Sequence, residues 1–78
     1  MLMLIYKGRT LNVDDSLIKE YRDTRGRELN QRDLDLYVHA SYIKKVPDPE
    51  EYVKTNVSDE ELADIFTHKI KTDIYLHS

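Results

Sequence analysis

The sequence predicts a small α+β domain, and three observations carry that expectation. An apolar segment, MLMLIY, runs into a Lys-Gly turn; one helix-start pattern occurs three times after it; and a β-prone stretch, Ile74-Tyr75-Leu76, lies near the end. An N-terminal β-hairpin and a C-terminal strand should therefore pack with three main helices and one short helix. The 78 residues hold side chains for one small core, so residues 1–78 are expected to form a single globular domain.

In the first segment Leu2, Leu4 and Tyr6 alternate with Met1, Met3 and Ile5, so both faces are apolar. That pattern suits a strand covered on both sides or paired across a subunit boundary. Lys7-Gly8 supplies the turn, and Arg9 to Val13 returns with Leu11 and Val13 on one face.

The repeated pattern is an apolar residue, a capping residue, and a second apolar residue five places after the first. Val13-Asp14 with Ile18, Leu29-Asn30 with Leu34, and Val57-Ser58 with Leu62 all have this spacing. It lets the residue before a cap close over the first helical turn. Asp33 and Glu61 stand where a capping box needs its acid, approximately in the first case and fully in the second. A fourth start lies in VPDPEEY, where Asp48 caps, Pro49 suits the first helical position, and Glu50 and Glu51 favour the positive end of the helix dipole.

The helices are expected over Asp15 to Arg25, Gln31 to Lys45, Pro49 to about Lys54, and Asp59 to Lys71. The middle helix carries Leu34, Tyr37, Val38, Ser41 and Tyr42 on one face and Leu36, Ala40 and Ile43 on an adjoining one. Apolar on two sides, it is expected at the centre of the fold, with the first and last helices outside it. Thr72 to His77 is expected to form the closing strand, paired with Met1 to Tyr6.

The apolar share of 40% and charged share of 35% suit a folded, water-facing chain. Lys7 and Arg9 follow the opening apolar run, the reverse of a signal peptide's order, and nothing approaches the roughly 20 apolar residues of a membrane span. With no cysteine for disulfides, thiolate sites or thiol nucleophiles, a cytoplasmic location is expected.

The residues offer little to catalysis. Ser16, Ser41, Ser58 and Ser78 stand outside any nucleophile elbow, and two glycines make no phosphate loop. Asp35 with His39 and Asp64 with His68 are i, i+4 pairs that read as ordinary helix contacts, so no metal site is expected. No cofactor and no catalytic residue is assigned, and the chain is expected not to be an enzyme.

Charge is unevenly spread. Arg22, Arg25, Arg27 and Arg32 stand against Asp23 and Glu28, whereas Asp48 to Asp64 holds seven acids against Lys54. Six tyrosines accompany one phenylalanine and no tryptophan, and tyrosine and arginine are both favoured in protein interfaces. Tyr21, Tyr37 and Tyr42 could equally line a core rim with their hydroxyls in water. The expected function is that of a non-enzymatic protein-binding regulator or inhibitor that occupies a surface of a larger partner, with a homodimer also in view. Arg22, Arg25, Arg27 and Arg32 would meet an acidic surface, and Glu50, Glu51, Asp59, Glu60 and Asp64 a basic one. The acidic run could also mimic nucleic acid. The alternative is a helix-turn-helix-like nucleic-acid binder, using the arginine-rich turn and the start of the helix at Gln31. Asp33, Asp35 and the net charge of −3 count against it.

Overall fold

The hairpin forms where alternation and the Lys7-Gly8 turn place it. In the computed structural model, which describes the backbone of residues 2–77 and the side chains of residues 4–77, strand β1 (Leu2–Tyr6) pairs antiparallel with β2 (Arg9–Val13). Leu4 faces Leu11, and Tyr6 faces Arg9. Lys7 (φ 49°) and Gly8 (φ 81°) are both left-handed, as a two-residue turn matched to strand twist requires. The expected alternation at Met1 and the side chains of Leu2 and Met3 lies outside the described residues.

All four helix starts are capped as the sequence predicts. Helix α1 (Asp15–Arg25) opens on Asp14, whose carboxylate accepts from the Ser16 N–H at 2.9 Å; the hydroxyl and N–H of Ser16 hold that carboxyl below its usual range. Helix α2 (Gln31–Tyr42) carries a complete capping box, Asn30 accepting from the Asp33 N–H at 3.0 Å and Asp33 from the Asn30 N–H at 3.1 Å. Helix α3 (Pro49–Asn56) starts on Asp48, and helix α4 (Asp59–Leu76) on Ser58, which accepts from the Glu61 N–H at 3.2 Å. The approximate box is thus the complete one. At α4 the acid of the expected full box makes no return bond among the described residues.

Gly26 ends α1 in the left-handed conformation (φ 72°) with its N–H donating to the Arg22 carbonyl at 2.8 Å. A Cβ added there would meet nothing within 4 Å, so Gly26→Ala should lose about 1 kcal/mol of stability through backbone strain alone. Urea unfolding checks this, and Gly26→Asn should recover part of the loss.

Two elements differ from expectation. Helix α2 stops at Tyr42 instead of Lys45, because the N–H groups of Lys45 and Val46 both bond to the Tyr42 carbonyl and wind the chain into a turn ahead of Pro47. Thr72 to His77 is not a strand. Helix α4 continues to Leu76, because Ile74 extends the i+4 series Leu62, Phe66, Ile70 without a breaker and is buried with them.

That series also relocates the centre of the fold. Leu62, Phe66 and Ile70 are fully buried, and α4 packs against α1, α2 and β2, so α4 rather than α2 is the central helix. Tyr6, Leu11, Val13, Leu17, Tyr21, Leu34, Val38, Tyr42, Val53 and Val57 complete the core around it. The Tyr6 ring meets Phe66 edge-on, with centroids 5.4 Å apart. Arg9, outside the expected basic patch, ties the hairpin to the helices. Its guanidinium donates to the carbonyls of Val53 (3.2 Å) and Val57 (2.6 Å) at the end of α3 and to Asp59 (2.7 Å) at the start of α4.

Candidate functional site

The four arginines of the expected basic patch sit around the α1–α2 junction, and three of them are engaged within the chain. Arg22 pairs with Glu28 at 3.3 Å. Arg27 forms a two-pronged contact with Asp33 (2.7 and 3.1 Å) that holds the Asp33 carboxyl below the usual carboxylate range, and its guanidinium lies 5.8 Å above the Tyr21 ring centre. Arg25 reaches across to α4 and bonds Asp73 at 2.6 Å. The sequence suggests no folding role for these guanidiniums; the structure gives Arg25 and Arg27 one. Arg32, the second residue of α2, has no ionic partner among the described residues and stays exposed.

Around Asp73 lies a polar cluster that the sequence does not announce. Its carboxylate also accepts from the Tyr37 hydroxyl at 2.7 Å and has the His77 ring at 3.1 Å. Burial first, then the hydrogen bond to Asp73 and the neighbouring Tyr21 hydroxyl, hold the Tyr37 phenol well above the ordinary tyrosine value. Tyr21 is fully buried, Tyr42 is buried against Tyr52, and Tyr37 is half-buried. Tyr21, with its hydroxyl buried, and Tyr37, whose hydroxyl donates to Asp73, are therefore not the rim tyrosines with hydroxyls in water that the sequence allows. Exposed tyrosines stand elsewhere, at Tyr52 and Tyr75.

The acidic residues divide in the same way. Glu50 pairs with Lys7 (3.0 Å) and Asp59 with Arg9 (2.7 Å). Glu51 takes part in the first turn of α3 through its N–H. Glu60 and Asp64 line an open groove beside Thr10 and Asn12 on the outer side of β2, close to Asp59. His39, His68 and His77 are not gathered: among the described residues no three His, Cys, Asp or Glu side chains are placed to share a metal ion.

The largest departure from the sequence reading concerns the second apolar stripe of α2. Leu36 is 55% exposed, Ile43 is 49% exposed, and Ala40 between them is exposed too. Each lies within about a quarter-turn of Arg32 and His39 around the helix axis, at 100° per residue. The stripe flanks a cleft of about 250 Å³ lined by Tyr6, Arg32, Asp35, Leu36, His39 and Pro49, among others. In the cleft floor, burial and then the Asp35 carboxylate raise the Tyr6 phenol above its ordinary value. One signal in the sequence could have marked this face: Arg32, four residues before Leu36, puts a charge on the line that Leu36 and Ile43 follow.

Among the described residues, no helix is long and apolar enough to cross a membrane. Comparison with protein-family models, curated proteins and solved structures gave no match to this chain.

Proposed function

We propose that the domain is a small, non-enzymatic protein-binding regulator or inhibitor, cytoplasmic in setting, that works by occupying a surface of a larger protein. The observation that carries this is the bare stripe on α2: a domain short of apolar side chains leaves Leu36, Ala40 and Ile43 in water while its core closes on the other face of the helix. Arg32 stands at the head of the stripe without an ionic partner among the described residues, so the surface fits an apolar groove with a carboxylate at one end. A second copy of the chain is also among the partners such a module takes, because a domain of this size gains stability by association.

Nucleic-acid binding through the α1–α2 turn has less support. Arg22, Arg25 and Arg27 are paired with Glu28, Asp73 and Asp33, and the Gln31 amide donates to Asp35, which leaves Arg32 as the reach towards phosphate among the described residues. Glu60 and Asp64, free of such pairing among the described residues, are the part of the acidic run best placed to meet a basic surface.

A photo-reactive residue at Leu36, introduced in the native cell, tests the proposal. A protein should be captured, and the capture should be lost with Ile43→Asp and weakened with Arg32→Ala while the purified variants stay folded. Both substitutions fall on exposed positions, so each should change stability by less than about 0.5 kcal/mol. Capture that is indifferent to both, or that consists of DNA or RNA and vanishes with added salt, would overturn it.

A further inference from the structure

The free edge of β1 is the second unmatched feature of the fold. In a hairpin with a two-residue turn, the residues flanking the turn form a hydrogen-bonded pair and the pattern then alternates. Tyr6–Arg9, Leu4–Leu11 and Leu2–Val13 are therefore the bonded pairs, and the N–H and C=O groups of Met3 and Ile5 point away from β2. Among the described residues none of these groups has another backbone or side-chain partner, and Ile5 is 65% exposed. No charge, proline or bulge protects the run from Leu2 to Tyr6, the devices that keep open edges apart.

We propose that β1 pairs antiparallel with β1 of a second copy, joining two hairpins into one four-stranded sheet across a two-fold axis. This rests on the part of the functional reading that allows a second copy as partner, and it uses a surface separate from α2. Placing Leu4 opposite its counterpart sets Met3 against Ile5 of the other copy in both directions. All the outward backbone groups of the strand are then bonded, and the register is self-complementary, as a closed dimer needs. The two edges of the hairpin differ in charge. β1 is uncharged from Leu2 to Tyr6, whereas the open edge of β2 runs beside Asp59, Glu60 and Asp64, so two copies meeting there would bring their acids together. The second copy therefore belongs on β1, and the sheet stops at four strands. A lone two-stranded hairpin is marginal by itself, which makes the added strands stabilising.

Sedimentation of the purified chain over a concentration series, with amide exchange read residue by residue, tests this. The expected result is a dimer in which the Met3 and Ile5 amides gain protection as concentration rises, while the Leu4 amide is protected throughout. Ile5→Pro removes an N–H that the hairpin does not use, so it should give a folded monomer; Ile5→Lys should weaken the dimer by charge. A chain that stays monomeric at all concentrations would overturn the proposal. So would a dimer in which the Met3 and Ile5 amides exchange freely, a reading of the native chain that stands even if the proline variant fails to fold. Ile43→Asp should leave the dimer intact, so loss of this contact and loss of the α2 partner are told apart.

Discussion

Phe66→Ala should remove most of the stability of the domain. The ring is completely buried midway along α4, between the hairpin and the surrounding helices, and Tyr6 packs edge-on against it. Truncating a buried phenylalanine costs about 3–5 kcal/mol, through lost transfer energy and the cavity left behind. The single small core of a 78-residue chain rarely supplies more than about 3–5 kcal/mol in all. The edge-on ring pair adds about 0.5–1.5 kcal/mol that no aliphatic side chain restores. Urea unfolding followed by far-UV circular dichroism should find Phe66→Ala partly unfolded without denaturant, whereas Phe66→Leu should lose about 1–2 kcal/mol and keep a cooperative transition. A loss below about 1.5 kcal/mol for the alanine variant would mean that α4 is not the centre of the core.

How far the fold can be read from the sequence follows from which signals are local. A cap and its staple lie within six residues, so Asp14, Asn30, Asp48 and Ser58 all marked true helix starts. The same holds for the end of α1, where Gly26 supplies a left-handed residue at the stop. Ile74-Tyr75-Leu76 misled because β-propensity is a weak preference that packing overrides. Burial of Ile74 one turn beyond Ile70 outweighs it, and the i+4 series from Leu62 was the better guide. Helix α2 misled for a different reason. Two apolar stripes on one helix do not say which is covered, because that depends on where α4 lies, and α4's place depends on contacts distant in sequence.

The candidate surface was legible in its residues and not in its roles. Arg22, Arg25, Arg27 and Arg32 do gather around one junction. Arg22 and Arg27 pair with acids six residues on, but whether Arg25 is engaged turns on Asp73, 48 positions beyond it and past the helix end expected at Lys71. Once α4 runs on to Leu76, Asp73 and His77 fall one turn apart on the side facing Arg25. Among the described residues, the guanidinium left without an ionic partner is then that of Arg32, and the surface proposed for a partner moves from the turn to the outer side of α2.

Asp73→Ala should be the most damaging substitution of a polar residue. The Asp73 side chain is 17% exposed and joins three elements, accepting from Arg25 of α1 and Tyr37 of α2 while itself on α4. Its removal leaves a guanidinium that is mostly covered and a half-buried phenol without their acceptor, and the loss should be about 2–4 kcal/mol. Asp73→Asn keeps the shape and can still accept from Tyr37, so it should lose less. Titration to high pH separates the two partners. The folded-state pKa of Tyr37 is raised above its ordinary value of 10.0. Below pH 10 both folded and unfolded chains hold the proton, and Tyr37 adds no slope. Above it the unfolded chain gives up the proton while the folded chain keeps it, so stability falls as pH rises, by up to about 1.4 kcal/mol per unit. Tyr6 and Tyr42 are shifted in the same direction, so the native chain must be compared with Tyr37→Phe, which should show a shallower alkaline decline. In Asp73→Ala the decline should also flatten, because without the carboxylate the phenolate is penalised less. Equal alkaline slopes in all three chains would mean that the Tyr37–Asp73 bond does not hold α2 against α4. The outward stripe of α2 would then lack the support that fixes its direction.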